Sequence, residues 1–298
     1  MTHDASEDEL RVSVVVLTHN RCDELCRTLD RLQALPERVP LIVVDNASTD
    51  HTAERLAALY PGITIVRSER NLGAAGRNLG VERVRTPYVA FCDDDTWWAA
   101  GSLRKAADLL DAWPEIDILN ARIVVGPEAR LDPACAAMAD SPLEHMPGIG
   151  PLLTGFMAGA NVMRTRAYRE AGGYWPPFFI GGEEALLAMD VLDAGGRIVY
   201  APELQVHHWP SLARDSGLRR KLIARNAIWT AWLRLPWPMA LRRTTISLRD
   251  ASHGGMRTSI LLDALKGWNS VRERRRILKP STRALLKRVW RHETAQAE

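Results

Sequence analysis

The chain has 298 residues, 46% hydrophobic and 25% charged, which is the balance of an ordinary globular protein and excludes a disordered chain, a collagen-like repeat or a disulfide miniprotein. Four cysteines without CxxC or Cys/His zinc spacing suit a reducing compartment. The net charge of +3 hides a division, because residues 1–211 carry 19 Lys+Arg against 30 Asp+Glu (−11) and residues 212–298 carry 20 against 6 (+14), an asymmetry that points to an anionic partner.

The N-terminal run MTHDASEDELR is acidic and lacks the apolar stretch of a signal peptide. No window reaches the ~18 uncharged apolar residues of a spanning helix, so a cytoplasmic chain is expected. The β-branched run VSVVVL (12–17) reads as a buried strand, followed by THNR and a helix with Leu25, Leu29 and Leu32 on one face. The pattern recurs: LIVVD (41–45) precedes a helix near 51–59, ITIV (63–66) one near 73–84, and YVAFC (88–92) one near 101–112. Alternating strands and helices predict a parallel sheet with right-handed crossovers and a ligand at the carboxyl ends of its strands. A strand at 117–125 and a long Pro/Gly/Ala-rich loop at 126–153 follow. GANVMRTRAYREAGGY then gives a short strand and helix, GGEEALLAMDVLDAGG a helix stopped by Gly195 and Gly196, and RIVYAPELQVHHW a last strand. From about 212 the pattern is helical, basic and Trp-bearing, with breaks at Pro236, Pro238 and Pro280.

Asp93-Asp94-Asp95 ends the apolar strand YVAFC. On an extended segment Asp93 and Asp95 point the same way and converge on one ligand, while Asp94 points elsewhere. Paired carboxylates at a sheet edge repel unless a cation or donors offset the repulsion, and the natural cation is Mg²⁺ or Mn²⁺ shared with substrate phosphates. The plain alternative is a solvated acidic loop capping a helix after Thr96. Asp45 closes the run LIVV, where a carboxylate can accept from a base N–H or a ribose hydroxyl, and Asp50 reads as a helix N-cap. The run RNLGAAGRNLG offers glycines for close backbone approach and Arg77 as a donor to base or phosphate. There is no Gly-x-Gly-x-x-Gly after the first strand, no Walker A loop and no Gly-x-Ser-x-Gly elbow, so phosphate would be held through a metal.

Taken in order, VSVVVLTHNR, VVDNASTD, RNLGAAGRNLG, FCDDDTWW, FFIGGEEALL and VYAPELQVHHW resemble glycosyltransferase family 2, the inverting nucleotide-sugar transferases of the GT-A fold, over roughly residues 12–209. The resemblance implies an α/β fold with a Rossmann-like, mostly parallel central sheet flanked by helices. Residues 1–211 would form the nucleotide-sugar-binding and catalytic domain and residues 212–298 a basic helical extension. Carried over by motif, Thr18, Asn20 and Asp45 would line the donor pocket, Arg77 would approach the base or diphosphate, Asp93 the ribose or sugar, and Asp95 the metal. Glu183-Glu184 stands where the family usually has Glu-Asp before a helix. Glu184 is thus expected to be the catalytic base, with Glu183 as its rival, and the alternative is that both merely favour the helix N-terminus. A further acid often found two residues on is replaced by Leu186. His208, ahead of His207, is the candidate to complete the metal shell, unless it is an ordinary hydrogen-bonded strand-end histidine.

The implied reaction moves a hexosyl or deoxyhexosyl group from a UDP-, dTDP- or GDP-linked donor to a saccharide or lipid-linked acceptor, in surface polysaccharide or glycolipid synthesis. A sugar-phosphate nucleotidyltransferase is the rival enzyme, but it opens with a glycine-rich loop where this chain has THNR. A non-catalytic membrane- or polyanion-binding scaffold is the rival outside enzymes, against which the intact acids argue. In the tail, the apolar stretch 226–241 with Trp229, Trp232 and Trp237 is too short and broken to span a bilayer. Flanked by Arg219, Arg220, Lys221, Arg225, Arg242 and Arg243, it either lies peripherally on an anionic membrane surface or packs on the catalytic domain or a second subunit. No nucleic-acid recognition motif accompanies the charge.

Overall fold

The computed structural model describes residues 10–210, 216–251 and 256–297. Residues 1–9 of the acidic N-terminal run and the boundary at 211/212 lie outside the described residues. The first half alternates β1 (Val12–Thr18), α1 (Cys22–Gln33), β2 (Leu41–Asp45), α2 (Thr52–Leu59), β3 (Thr64–Arg67), α3 (Gly76–Arg83) and β4 (Tyr88–Asp93). Its strands lie side by side as β3-β2-β1-β4, all parallel. Val14, Val15 and Val16 of β1 are fully buried because the strand is covered on both faces, and α1 sets Leu25, Leu29 and Leu32 into the same core. Gly80 lets α3 approach the sheet, since a Cβ there would fall 2.5 Å from Val15 Cγ1.

Beyond β4 come β5 (Thr96–Trp98), α4 (Ser102–Ala112), β6 (Ile116–Val125), β7 (Arg130–Leu131), α5 (Pro133–Ala139), β8 (His145–Met146), β9 (Gly150–Leu153), β10 (Asn161–Arg164), α6 (Thr165–Glu170), α7 (Glu183–Ala194) and β11 (Arg197–His208). Here the sheet is mixed, which the alternation rule did not anticipate. The stretch expected to be one long loop instead holds β7, α5, β8 and β9 and returns the chain so that β10 inserts antiparallel between β4 and β6. Strand β11 runs parallel to β6 and antiparallel to β5 and β9. Thr96 opens β5 rather than a helix; the next helix waits until Gly101, in the left-handed region at φ 82°, turns the chain into α4.

The C-terminal segment forms α8 (Ser216–Arg234), α9 (Trp237–Asp250), α10 (Arg257–Lys266), α11 (Trp268–Glu273) and α12 (Pro280–Ala297). Pro236 and Pro280 mark helix starts, but Pro238 does not break α9, because in the first turn its missing N–H is not needed. These helices share two apolar cores with α7 and the loop before it: Trp175, Phe178 and Leu186 pack with Ile228, Trp229 and Leu233, and Met189 packs with Ala231, Leu235 and Leu278. Trp229 stacks on Phe178 and meets Trp175 edge-on, and Trp232 meets Trp268, so packing, not lipid contact, occupies these two; Trp237 remains 66% exposed. Buried ion pairs fix the same junction. Arg234 grips both carboxylate oxygens of Asp190 at 2.6 and 2.8 Å, Arg276 bridges Asp190 and Asp193, and Asp193 also accepts from the Lys279 backbone N–H and Thr282 Oγ1. All four cysteines are buried and free. Among the described residues no helix is long and apolar enough to cross a membrane.

Candidate active site

Thr18, Asp45 and Asp93 end three adjacent parallel strands, with Thr18 level with Asp45 and Leu17 level with Asp93. This is the strand edge where open α/β sheets hold ligands. Asp45 is fully buried; its Oδ1 accepts from the Ser48 N–H at 2.8 Å, while Oδ2 has no hydrogen bond and lies 3.6 Å from Arg67 Nε. A buried carboxylate oxygen without a hydrogen bond is costly, and here the nearby Arg67 charge offsets part of that cost. Asn20 takes a left-handed backbone (φ 55°), donates its N–H to Ser48 Oγ and accepts the Thr49 N–H at its Oδ1, which ties the loop after β1 to the loop after β2. Asp50 is offset by one from the expected N-cap, a position held by His51. Its carboxylate still serves helix starts, accepting from the first N–H of α2 and, at 3.1 Å, the first N–H of α1.

The three consecutive aspartates face three environments. Asp93, whose side chain is 42% exposed, pairs closely with Arg77 Nη2. Asp94, expected to point away from the site, turns inward: Thr18 Oγ1 donates to it at 3.0 Å and Arg21 Nη1 at 3.1 Å. Burial drives its pKa up to about 7, against the opposing pull of Arg21. The Asp95 side chain is 2% exposed, with Arg21 Nη1 3.5 Å from one oxygen and His208 Nε2 3.7 Å from the other. The register of β5 on β11, His208 opposite Thr96 and His207 opposite Trp97, places that histidine, and the Trp209 N–H closes the corner on the Asp95 carbonyl at 2.9 Å. His207 instead stacks its ring on Trp97, and burial lowers its pKa.

Two ligands sharing an ion at about 2.1 Å sit roughly 3–4 Å apart. The Asp95–His208 separation falls in that range, and a carboxylate with an imidazole is a donor set that fits Mn²⁺ better than Mg²⁺, which prefers oxygen ligands alone. Among the described residues no group of three or more His, Cys, Asp or Glu gathers to hold a metal, so a cation here would need further oxygens from a ligand.

Glu183 and Glu184 open α7 behind Gly181 and Gly182, both left-handed, at φ 90° and 79°. Glu183 is 5% exposed and its Oε2 has no hydrogen bond. Glu184 keeps a partly open surface, yet burial and then the charge of Glu183 push its pKa up to about 8; burial also raises that of Glu183. Arg77 lies in their field. Burial opposes its charge, but Asp93 and the two glutamates outweigh that and raise its pKa above the ordinary value, and its guanidinium sits 5.7 Å over the Tyr174 ring.

The two halves of the cleft are joined through the RNLGAAGRNLG run and, from the extension, through α8. The Ala74 N–H donates to the Phe179 carbonyl at 2.6 Å, and Asn78 brackets Tyr174 through both its N–H and its carbonyl. A Cβ on Gly73 (φ 60°) would overlap the Phe179 carbonyl, so only glycine fits. From the extension, fully buried Asn226 of α8 donates to the carbonyls of Gly181 (2.7 Å), Phe178 (3.0 Å) and Ile180 (3.2 Å), and so holds the turn that presents Glu183 and Glu184. Its sole trace in the sequence is a polar pair, Arg225-Asn226, inside an apolar helical run.

The family model described as glycosyl transferase family 2 matches residues 13–171, more than half of the chain. The chain belongs to that family. Family 2 membership makes the chain a glycosyltransferase and favours that reading over the nucleotidyltransferase and scaffold alternatives. Among curated relatives, an N-acetylglucosaminyl-diphospho-decaprenol L-rhamnosyltransferase of Mycobacterium tuberculosis is 26% identical over 233 residues, covering 65% of this chain and 75% of that one. An uncharacterized glycosyltransferase of Bacillus subtilis, YwdF, is 32% identical over 104 residues, 33% of this chain and 37% of that one. The chain thus spans between about a third and three-quarters of these relatives. The solved mannosyltransferase PcManGT of Pyrobaculum calidifontis, in complex with GDP-Man and Mn²⁺, superposes with a TM-score of 0.57 at 19% identity, covering 97% of this chain and 88% of its own. GalNAc-T7 with UDP, GalNAc and Mn²⁺ gives 0.58 at 19% identity over 75% of this chain and 49% of its own. The fold is GT-A with a C-terminal helical extension.

Proposed function

We propose that this glycosyltransferase moves a hexosyl or deoxyhexosyl group from a nucleoside-diphosphate sugar to an acceptor hydroxyl with inversion, Glu184 acting as base. The observation that carries this is the acidic pair at the start of α7, buried enough to hold a proton near neutrality and within the field of Arg77 and Asp93. Glu184 removes the acceptor hydroxyl proton as that oxygen attacks the anomeric carbon; the bond to the diphosphate breaks on the opposite face and the nucleoside diphosphate leaves. Thr18, Asn20 and Asp45 line the nucleoside end, with Asp45 Oδ2 accepting from base or ribose, Asp93 at the ribose or sugar, and Arg77 orienting Asp93 and balancing the charge near the diphosphate. Asp95 and His208 would hold a divalent cation, which supplies charge stabilisation for the leaving diphosphate. The GDP-Man-bound and UDP-bound neighbours support a nucleotide-sugar donor, of which UDP-, dTDP- and GDP-linked forms are the candidates, and the rhamnosyltransferase relative supports a saccharide or lipid-linked acceptor.

We further propose a division of labour in which residues up to 211 carry the chemistry, and the +14 segment beyond them meets an anionic membrane surface on the cytoplasmic side. The reaction is tested with a panel of nucleotide sugars, screened for thermal stabilisation with and without Mn²⁺. On the donor so found, Glu184→Gln keeps binding and lowers turnover at least about 10²-fold. If Glu183→Gln alone does so, the base is the neighbouring residue.

A further inference from the structure

Helices α9 and α12 enclose a cleft of about 560 Å³ that shares no lining residue with the strand-edge site and is lined by four basic side chains, Arg242, Arg243, Lys287 and Arg291, and no acidic one. Its apolar wall is Ile246 and the Trp290 ring, on which the Arg243 guanidinium lies 4.5 Å from the centroid. Among the described residues none of the four cations makes a hydrogen bond or ion pair; Asp250 and Glu293 are near enough to be felt by Arg243 but neither lines the cleft. Burial lowers the pKa of Arg243 by more than the charges of Glu293 and Asp250 raise it. Beside the cleft, Trp237 and Leu241 of α9 are 66% and 52% exposed.

We propose that this cleft is a binding site for an anionic phospholipid, its phosphate received by Arg242, Arg243, Lys287 and Arg291 and the start of its acyl chain lying along Ile246 and Trp290. Guanidinium groups suit the bidentate geometry of a phosphate, and unpaired donors over an apolar wall match a molecule that is charged at one end and apolar at the other. A volume of this size holds a headgroup and the first part of a chain. Trp237 and Leu241 then enter the lipid interface at the depth where an amphipathic aromatic ring is favoured. A nucleic acid would meet the charge but leave the exposed Trp237 and Leu241 in water. The proposal deepens the membrane reading above and rests on it, by naming the lipid and the residues that take it.

The test is sedimentation of the full chain with vesicles of phosphatidylcholine alone or containing about 30% phosphatidylglycerol, at about 1 kcal/mol of attraction per basic residue. Arg242→Gln, Lys287→Gln and Arg291→Gln combined, all at exposed positions, should weaken binding to the acidic vesicles about 10²-fold while leaving thermal stabilisation by the nucleotide sugar unchanged. A charge-matched control, Arg219→Gln with Arg220→Gln and Arg272→Gln, should lose several-fold less. Equal losses in the two variants, or none in the cleft variant, would overturn the site while leaving membrane attraction standing. A wild type that ignores acidic vesicles, or sediments as well with neutral ones, would overturn both, as would cleft-dependent capture of a single-stranded oligonucleotide in place of vesicles.

Discussion

As the proposed base, Glu184 has to lose a proton before it can accept one. With its pKa up at about 8, from burial and then from Glu183, the free enzyme should show kcat/KM rising with pH to a plateau above about 8. Glu183→Gln removes the like charge and should move that limb to lower pH; an unmoved limb in the pH–rate profile would detach it from the pair. The same shift acts on folding. Glu183, Glu184 and Asp94 bind protons more tightly folded than unfolded, so their contribution to stability is intact below about pH 4 and is lost as pH rises toward 8, a decline that urea midpoints across the range would register. Asp95→Asn removes the proposed hard anionic ligand and almost no volume, so metal-dependent donor binding should disappear in calorimetry while the chain still folds, at a lower melting temperature because buried Asp95 also faces Arg21. Unaltered Mn²⁺ dependence would clear Asp95 of the role.

Among the elements, those that follow period and punctuation were legible. The run VSVVVL gave β1, and Leu25, Leu29 and Leu32 gave the inward face of α1. What escaped was long-range pairing: nothing local in Asn161–Arg164 says that β10 runs against its neighbours, and nothing in Thr96–Trp98 says that β5 will pair with β11 and so bring Asp95 to His208. The direction of Asp94 escaped as well. Period-two alternation describes a strand, but the strand ends at Asp93, and the turn beyond it sends Asp94 inward to Thr18 and Arg21. Asn226 lay beyond reach because its partners are carbonyls 45 to 48 residues earlier. Asn226→Ala should strip the Gly181 and Ile180 carbonyls of this donor, while Arg225 still serves that of Phe178, and loosen the turn before α7, lowering kcat by about tenfold or more with donor affinity held, since a small misplacement of the proposed base is expensive. Asn226→Asp offers no N–H in exchange and should not restore the rate. A matching rise in KM with kcat unchanged would instead make Asn226 part of the donor pocket.

Across the whole molecule, the ion network at the junction decides how the extension sits. Asp190→Asn keeps the volume but removes the charge that neutralises Arg234, a side chain 3% exposed, and breaking one partner of a buried pair costs about 3–5 kcal/mol. Urea unfolding should show a loss in that range; a loss under about 1 kcal/mol would mean that water or Asp193 takes over the guanidinium. The same change reports on cooperativity. The cores that unite Trp229 with Phe178 and Leu235 with Met189 predict one transition seen alike by tryptophan fluorescence and circular dichroism.

Helix α7 is a rod of 12 residues, about 18 Å at 1.5 Å per residue. One end presents the acidic pair to the cleft, and the other, through Asp190 and Asp193, is clamped by Arg234 and Arg276. A rod gripped at its far end turns small movements there into movements of its tip. Whatever presses on α8 or on the chain around Arg276 can therefore aim the proposed base without touching the sugar, and substitutions in the tail can retune turnover by leverage alone.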